Sequence, residues 1–192
     1  MLFFLFAFLA YIIGSVNMAL RVSRWADAPD PRDAFSRNPG ATNVYRHAGP
    51  WWGLLVVALE AVKAAAVAWI AFRWLPAALV PWVGVALILG NRFPLFHGFR
   101  GGKGVANYLG FALAINPVAA IVGIGCWAVG IHFTKQPFIG SFLLVTVLTA
   151  GMVNMLGVSL AVLCGALFNL ALIFGLHHEN IRGFLSPSQK TI

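Results

Sequence analysis

Charge is scarce in this chain. Of its 192 residues only 9% are Asp, Glu, Lys or Arg, and the acidic ones number five. A soluble domain of this length carries about 25% charged residues, so its surface could not be covered with polar groups. An ordinary water-soluble globule is excluded, and so is a disordered chain, which needs low hydrophobicity. Cysteine is scarce too. Cys126 and Cys164 lie in apolar stretches without CxxC spacing or a neighbouring His, which implies neither disulfide nor metal. No internal repeat, low-complexity tract or cofactor motif is present. What the chain has in quantity is apolar side chain: 60% hydrophobic residues, sixteen Phe, seven Trp and a mean hydropathy of +0.86.

A bilayer span needs about 20 apolar residues. Seven candidates run over residues 2–20, 51–72, 77–90, 105–115, 117–133, 138–153 and 155–175. The expected fold is an all-α integral membrane protein, one domain over 1–192, with seven transmembrane or partly re-entrant helices. The first stretch has no basic lead and no A-x-A-like cleavage site, and Arg21 and Arg24 follow it. It therefore predicts a retained helix rather than a signal peptide. The net charge of +8 would suggest nucleic acid in a soluble protein. In a membrane protein it first reports orientation, because Lys and Arg gather in cytoplasmic loops. With the N-terminus outside, the inner loops hold Arg21, Arg24, Arg32, Arg37, Arg46, Arg92, Arg100, Lys103, Lys135, Arg182 and Lys190. Only Arg73 falls outside, and Lys63 lies within a helix. The C-terminus is then cytoplasmic, and no nucleic-acid partner is expected.

Segments 77–90 and 105–115 reach only about 21 and about 16 Å, short of a hydrocarbon core of about 30 Å. Either they borrow flanking residues or they are partial helices that let loop 91–104 dip into the membrane. Half-helices with N-termini on a polar pocket bind anions at membrane depth.

The polar residues concentrate in three loops and a tail. In loop 21–50 the centre reads Ser36, Arg37, Asn38, Pro39, Gly40, Ala41, Thr42, Asn43, Val44, Tyr45, Arg46. Asn-Pro-Gly signals a turn, and Thr42 or Asn43 could cap the following helix. It reads as a capped surface turn or as a set of donors for a phosphate, more numerous than a turn needs. Loop 91–104 ends in Gly101, Gly102, Lys103 and Gly104 before a helix, so backbone N–H groups and the helix N-terminus can face an anion. It lacks Walker A spacing and its Ser/Thr; the bland alternative is an interfacial lysine on lipid headgroups. Thr134, Lys135, Gln136 and Pro137, followed by Ser141, form an ordinary polar connection. The last helix ends in His177, His178, Glu179 and Asn180, with His177 and Asn180 three apart on one helical face. That spacing matches no usual zinc site, so no metal is expected. Glu60 and Lys63, also three apart, read as an intramembrane ion pair that positions its helix or links to the site remotely.

In this order and over nearly the whole chain, these pieces resemble the bacterial acyl-phosphate:glycerol-3-phosphate acyltransferase family, PlsY. They are Gly14 and Ser15, Asn38 to Asn43, Phe93 and Pro94, Phe99 to Ala106, Glu60 and Lys63 where the family has Asp-x-x-Lys, and His177 with Glu179, Asn180 and Ile181. The resemblance implies transfer of a fatty acyl group from acyl phosphate to the 1-hydroxyl of sn-glycerol 3-phosphate, giving lysophosphatidic acid and phosphate. It implies no covalent acyl-enzyme, no cofactor, and an inner-membrane location with the site facing the cytoplasm and membrane lipids around it; a monomer is a compatible state that the sequence itself does not fix. By motif position the catalytic set is Lys103, His177, Asn180 and Ser141. The substrate-binding set is Ser36, Asn38, Gly40, Thr42, Asn43, Arg46, Gly101, Gly102 and Gly104. The base is either His177 or an oxygen of a substrate phosphate. The chain departs from the family pattern at Arg37, Asn91, His97, Asn107 and His178. Two other readings stand beside this one: a member acylating another hydroxyl acceptor, and a non-catalytic lipid-phosphate or anion binder or transporter.

Overall fold

The computed structural model describes residues 1–33 and 35–186; Lys190 of the charge count lies outside them. Ten α-helices make up nearly all of it. They are α1 (Leu2–Ser15), α2 (Met18–Trp25), α3 (Ala41–Ala48), α4 (Pro50–Trp74), α5 (Val80–Arg92), α6 (Val105–Ile115), α7 (Pro117–Thr134), α8 (Pro137–Leu156), α9 (Leu160–Gly175) and α10 (His178–Leu185). Proline opens α4, α7 and α8, where its missing N–H costs nothing and its φ suits a first helical residue. Asn116 accepts from Ala119 N–H to cap α7, and its amide donates to the Gly151 carbonyl at 3.0 Å, tying α7 to α8.

The expected stretch 2–20 is in fact two helices, α1 and α2, broken at Val16 and Asn17. Asn17 caps α2 by accepting from Leu20 N–H, a local bond that competes with helix continuation. The stretch 155–175 begins only at Leu160, because α8 runs on to Leu156 and Ser159 caps α9. Loop 21–50 holds most of α2 and all of α3.

Five segments are long and apolar enough to cross a membrane: Leu2–Trp25, Pro50–Trp74, Ala77–His97, Pro117–Thr134 and Pro137–Leu156. Helix α9 with α10, bent by 51°, would make a sixth; the eleven-residue α6 is an apolar helix too short for that test. The expectation of an all-helical, multi-pass membrane protein therefore stands, with five or six spans by length rather than seven. Phe4, Phe8, Trp51, Trp69, Ile121 and Phe133 are all exposed, as residues facing lipid should be.

Helices approach closely where side chains are small. A Cβ on Gly90 of α5 would sit 2.1 Å from the Tyr11 carbonyl oxygen of α1, and one on Gly110 of α6 would sit 2.1 Å from that of Ala61 in α4. Short α6 is thus clasped at the centre of the molecule. Tyr108 and Phe111 on it are fully buried, and the Tyr108 hydroxyl meets Thr149 of α8 at 3.0 Å.

Candidate functional site

Loop 91–104 is pinned to the end of α5. Gly101 N–H donates to the Arg92 carbonyl at 3.1 Å and Gly102 N–H to that of Asn91 at 3.0 Å, while Arg92 Nη1 donates back to the Gly101 carbonyl at 3.3 Å. Gly104 has φ +80, a left-handed value that suits glycine, and a Cβ there would press 2.9 Å from Ile88. The turn sends the chain straight into α6, whose first N–H groups have no intrahelical acceptor and carry partial positive charge.

The Asn38-Pro39-Gly40 turn lies against this loop. A Cβ built on Gly102 would be 2.9 Å from Asn91 Oδ1, 3.0 Å from the Pro39 carbonyl oxygen and 3.7 Å from Asn17 Nδ2. Two donor-rich segments some sixty residues apart in sequence are thus in contact through backbone. Helix α3 starts at Ala41 with Gly40 at its cap and no side-chain cap. Thr42 and Asn43 are therefore inside the helix, not capping it as the sequence suggested. Gly40 has no side chain to compete with the backbone there, and its carbonyl already accepts from the Asn43 and Val44 N–H groups. Thr42 and Arg46 are exposed, one helical turn apart, while buried Asn43 donates to the Pro31 carbonyl at 2.5 Å. The Arg46 guanidinium lies over the exposed Phe35 ring, 5.9 Å from its centre. Ser36 is exposed and Asn38 half-buried. The Asp30–Arg32 ion pair, 2.6 Å, holds the preceding stretch, and Arg32 Nη1 donates to the His97 carbonyl at 3.2 Å. Arg32 hydrogen bonding keeps the Asp30 carboxyl below its ordinary pKa.

The tail arrives from the other side. Helix α9 ends at Gly175 and the chain bends before α10, so His177 and Asn180 do not share one continuous helical face as the sequence suggested. His177 instead occupies the α10 cap position, and Asn180 lies in the first turn of α10. Lys103 Nζ donates to Asn180 Oδ1, joining positions 77 residues apart. Burial pushes the Lys103 ammonium below its ordinary pKa; Glu179 opposes this and Arg92 adds to it.

His177 is 4% exposed, and its Nδ1 lies 2.8 Å from the Ile173 carbonyl. A carbonyl can only accept, so Nδ1 carries the proton and, in the neutral ring, Nε2 is an acceptor. Burial, with the Lys103 charge adding to it, pushes its pKa down to about 4, so the ring is neutral near pH 7. A neutral His177 can accept a hydroxyl proton in a hydrogen bond, but Nε2 cannot donate to an oxyanion. Asn180, its oxygen taken by Lys103, still has an amide to donate.

Ser141 donates to the Pro137 carbonyl at 3.1 Å, one turn back in α8. It is the next residue, Phe142, that packs edge-on against His177, 5.3 Å between ring centres. Phe142 also lines an apolar groove of about 450 Å³ between α7 and α8, with Val122, Cys126, Val129, Leu143 and Val147. Beside Asn180 a second, more polar depression is lined by Gln136, Phe138, Glu179 and Phe184.

Two contributors escaped the sequence reading: Asn17, whose amide donates to the Pro39 carbonyl at 3.3 Å, and Phe142. A lone Asn inside an apolar run, of a residue type that caps helices, was the available signal for the first. Nothing separates Phe142 from the other fifteen phenylalanines in sequence.

A family model described as glycerol-3-phosphate acyltransferase matches residues 4–186. A protein named glycerol-3-phosphate acyltransferase from Cupriavidus taiwanensis is 35% identical, over 98% of this chain and 95% of its own length. Another of that name from Methylobacillus flagellatus is 35% identical over 96% and 94%. Among solved structures, the glycerol 3-phosphate form of PlsY, an integral membrane glycerol 3-phosphate acyltransferase, superposes with a TM-score of 0.88 at 30% identity, covering 97% of this chain and 94% of that one. Its lysophosphatidic acid form gives 0.86 at 29%, over 97% and 93%.

Proposed function

The chain belongs to the PlsY family of glycerol-3-phosphate acyltransferases, and from that premise we propose that it moves a fatty acyl group from acyl phosphate to the 1-hydroxyl of glycerol 3-phosphate. The products are lysophosphatidic acid and phosphate. The observation that carries this reading is the convergence of Lys103, Asn180 and His177 with the Pro39–Gly102 contact, and an apolar groove that shares Phe142 with His177. Two anions and one hydrocarbon chain need those surroundings: cations and backbone donors for phosphates, and a dry slot for the chain.

Acyl phosphate is an activated mixed anhydride, so direct attack suffices. The hydroxyl oxygen forms a bond to the carbonyl carbon, the carbon–oxygen bond to phosphate breaks, and phosphate leaves. The protein's task is alignment and charge stabilisation. Lys103 and Arg46 offset the repulsion of two phosphates, with Ser36, Asn38, Thr42, Gly40 and the Gly101, Gly102 and Gly104 backbone around them, while buried Asn43 braces the turn through the Pro31 carbonyl. The Asn180 amide faces the developing oxyanion. Ser141, bonded to the Pro137 carbonyl within α8, precedes Phe142 and can turn its hydroxyl to substrate only by giving up that bond.

The low basicity of His177 favours a substrate phosphate oxygen as the base. His177, with a pKa pushed down to about 4, is a weaker base than a phosphate ester, whose second pKa is about 6. The proton therefore passes to a substrate phosphate oxygen while His177 Nε2 orients the hydroxyl. At Asn91, where the family usually has His, the backbone carbonyl holds Gly102 N–H and the side chain lies beside Gly102 without a titrating group. We place the site on the cytoplasmic face of a bacterial inner membrane, with seven crossings that count α6 and α9, as the distribution of Arg and Lys favours.

The test is direct. Purified protein given palmitoyl phosphate and glycerol 3-phosphate should yield lysophosphatidic acid, and acyl-CoA or acyl carrier protein thioesters should not replace the donor. Lys103→Ala should lower kcat by about 10²–10³, as expected for loss of one stabilising donor. Binding of glycerol 3-phosphate without turnover would overturn the proposal.

A further inference from the structure

We propose that Asn17, Glu60 and Lys63 are positioning residues for the phosphate site, acting through the break between α1 and α2; this rests on the reading of that site as the place where substrate phosphates bind. A broken helix leaves carbonyls unpaired on one side and N–H groups on the other, and inside a membrane water cannot satisfy them. Helix α4 supplies both partners from one turn. Glu60 Oε1 accepts from Met18 N–H, the first residue of α2, at 2.8 Å. Lys63 Nζ donates to the carbonyl of Val16, just past the end of α1. Glu60 Oε2 and Lys63 Nζ are 2.6 Å apart, so the pair neutralises itself while each member still holds backbone. Acceptor faces N–H and donor faces carbonyl: the polarity of the pair matches that of the break. An ion pair that only neutralised itself would need neither contact.

The break then fixes Asn17. Fully buried, it caps α2 through Leu20 N–H at 3.1 Å and donates its amide to the Pro39 carbonyl at 3.3 Å. That same carbonyl faces Gly102. The line of contacts runs from Glu60 and Lys63 to the break, to Asn17, to Pro39, and so to both loops that carry the anion donors. Loop 21–50 also packs Val22 and Val44 against Val56 of α4, and the polar line of contacts adds to that apolar support.

Asn17→Ser keeps an oxygen for the α2 cap but loses the amide that reaches Pro39. We expect a melting temperature close to wild type, KM for glycerol 3-phosphate raised about fivefold, the worth of one hydrogen bond, and kcat nearly unchanged. Amide hydrogen exchange should rise over residues 38–44 and stay unchanged in α7 and α8. The exchanged pair Glu60→Lys/Lys63→Glu keeps opposite charges but sets donor against N–H and acceptor against carbonyl. It should show the same local pattern more strongly. Wild-type behaviour of the exchanged pair, unchanged KM and exchange in Asn17→Ser, or exchange rising evenly through the bundle would each overturn the proposal. Should the exchanged pair fail to accumulate, Asn17→Ser decides. If wild-type protein makes no lysophosphatidic acid, the functional reading falls, while the exchange pattern still decides whether these residues position the loops.

Discussion

His177 illustrates how one side chain's role is set by what surrounds it. In sequence it is a histidine beside another histidine, open to metal binding, base catalysis or neither. Its Nδ1 contact with Ile173 sets the tautomer, and burial with Lys103 nearby sets the charge. The folded pKa, about 4, lies below the ordinary 6.5, so between these values the unfolded chain binds more protons. Stability from this group is intact above pH 6.5 and is lost as pH falls toward 4, by up to about 3 kcal/mol. Detergent-solubilised protein should therefore lose melting temperature on acidification from pH 7.5 to 4.5, and His177→Gln should lose less over the same interval. Activity between pH 6 and 8 should follow the second ionisation of substrate phosphate, so that a His177→Gln enzyme keeps the shape of the wild-type profile at lower kcat. A profile that flattens in the variant would make His177 the base. At Lys103 the comparison to make is Lys103→Arg: it retains charge but not the compact ammonium held by Asn180, and should recover only part of the activity that Lys103→Ala loses.

At the level of elements, helix ends do most of the work. The α1–α2 break presents Asn17, the turn at Gly104 aims α6, and the bend after α9 brings Asn180 to Lys103. Gly104→Ala tests the second of these. Its φ of +80 strains any L side chain, and its Cβ would meet Ile88 at 2.9 Å, so we expect destabilisation by about 1–3 kcal/mol and a matching loss of activity. A variant as stable and active as wild type would show that this turn can be made another way. Spans were legible at this scale: α4, α6 and α7 fall within two residues of the stretches read from apolar runs. The breaks were not. Hydropathy averages over a window, so a single polar residue such as Asn17 leaves a run apolar while its side chain captures an N–H and ends the helix. The same averaging merged the tail into one helix and put His177 and Asn180 on a common face.

The whole molecule makes a prediction that no single element can. If Arg and Lys mark the cytoplasmic side, then the α7–α8 turn and the end of α4 face opposite compartments. With Cys126 and Cys164 replaced by Ala, a membrane-impermeant maleimide should label Lys135→Cys only from the cytoplasmic face and Arg73→Cys only from the outer face. Labelling of both from one side would overturn the topology. Composition alone determined the solvent: a chain with 9% charged residues and a mean hydropathy of +0.86 must bury its helices in lipid. The pattern of Asn, Gly, Lys and His also marked which short segments carry polar chemistry, because those residues stand out against an apolar background. Only the tertiary structure decided how they meet. Lys103 reaches Asn180, Pro39 faces Gly102, and Glu60 with Lys63 completes a break in a different helix. Apolarity and turn chemistry are properties of neighbours in sequence, whereas these contacts depend on close helix crossings at Gly90 and Gly110 and on buried polar groups finding partners from remote positions.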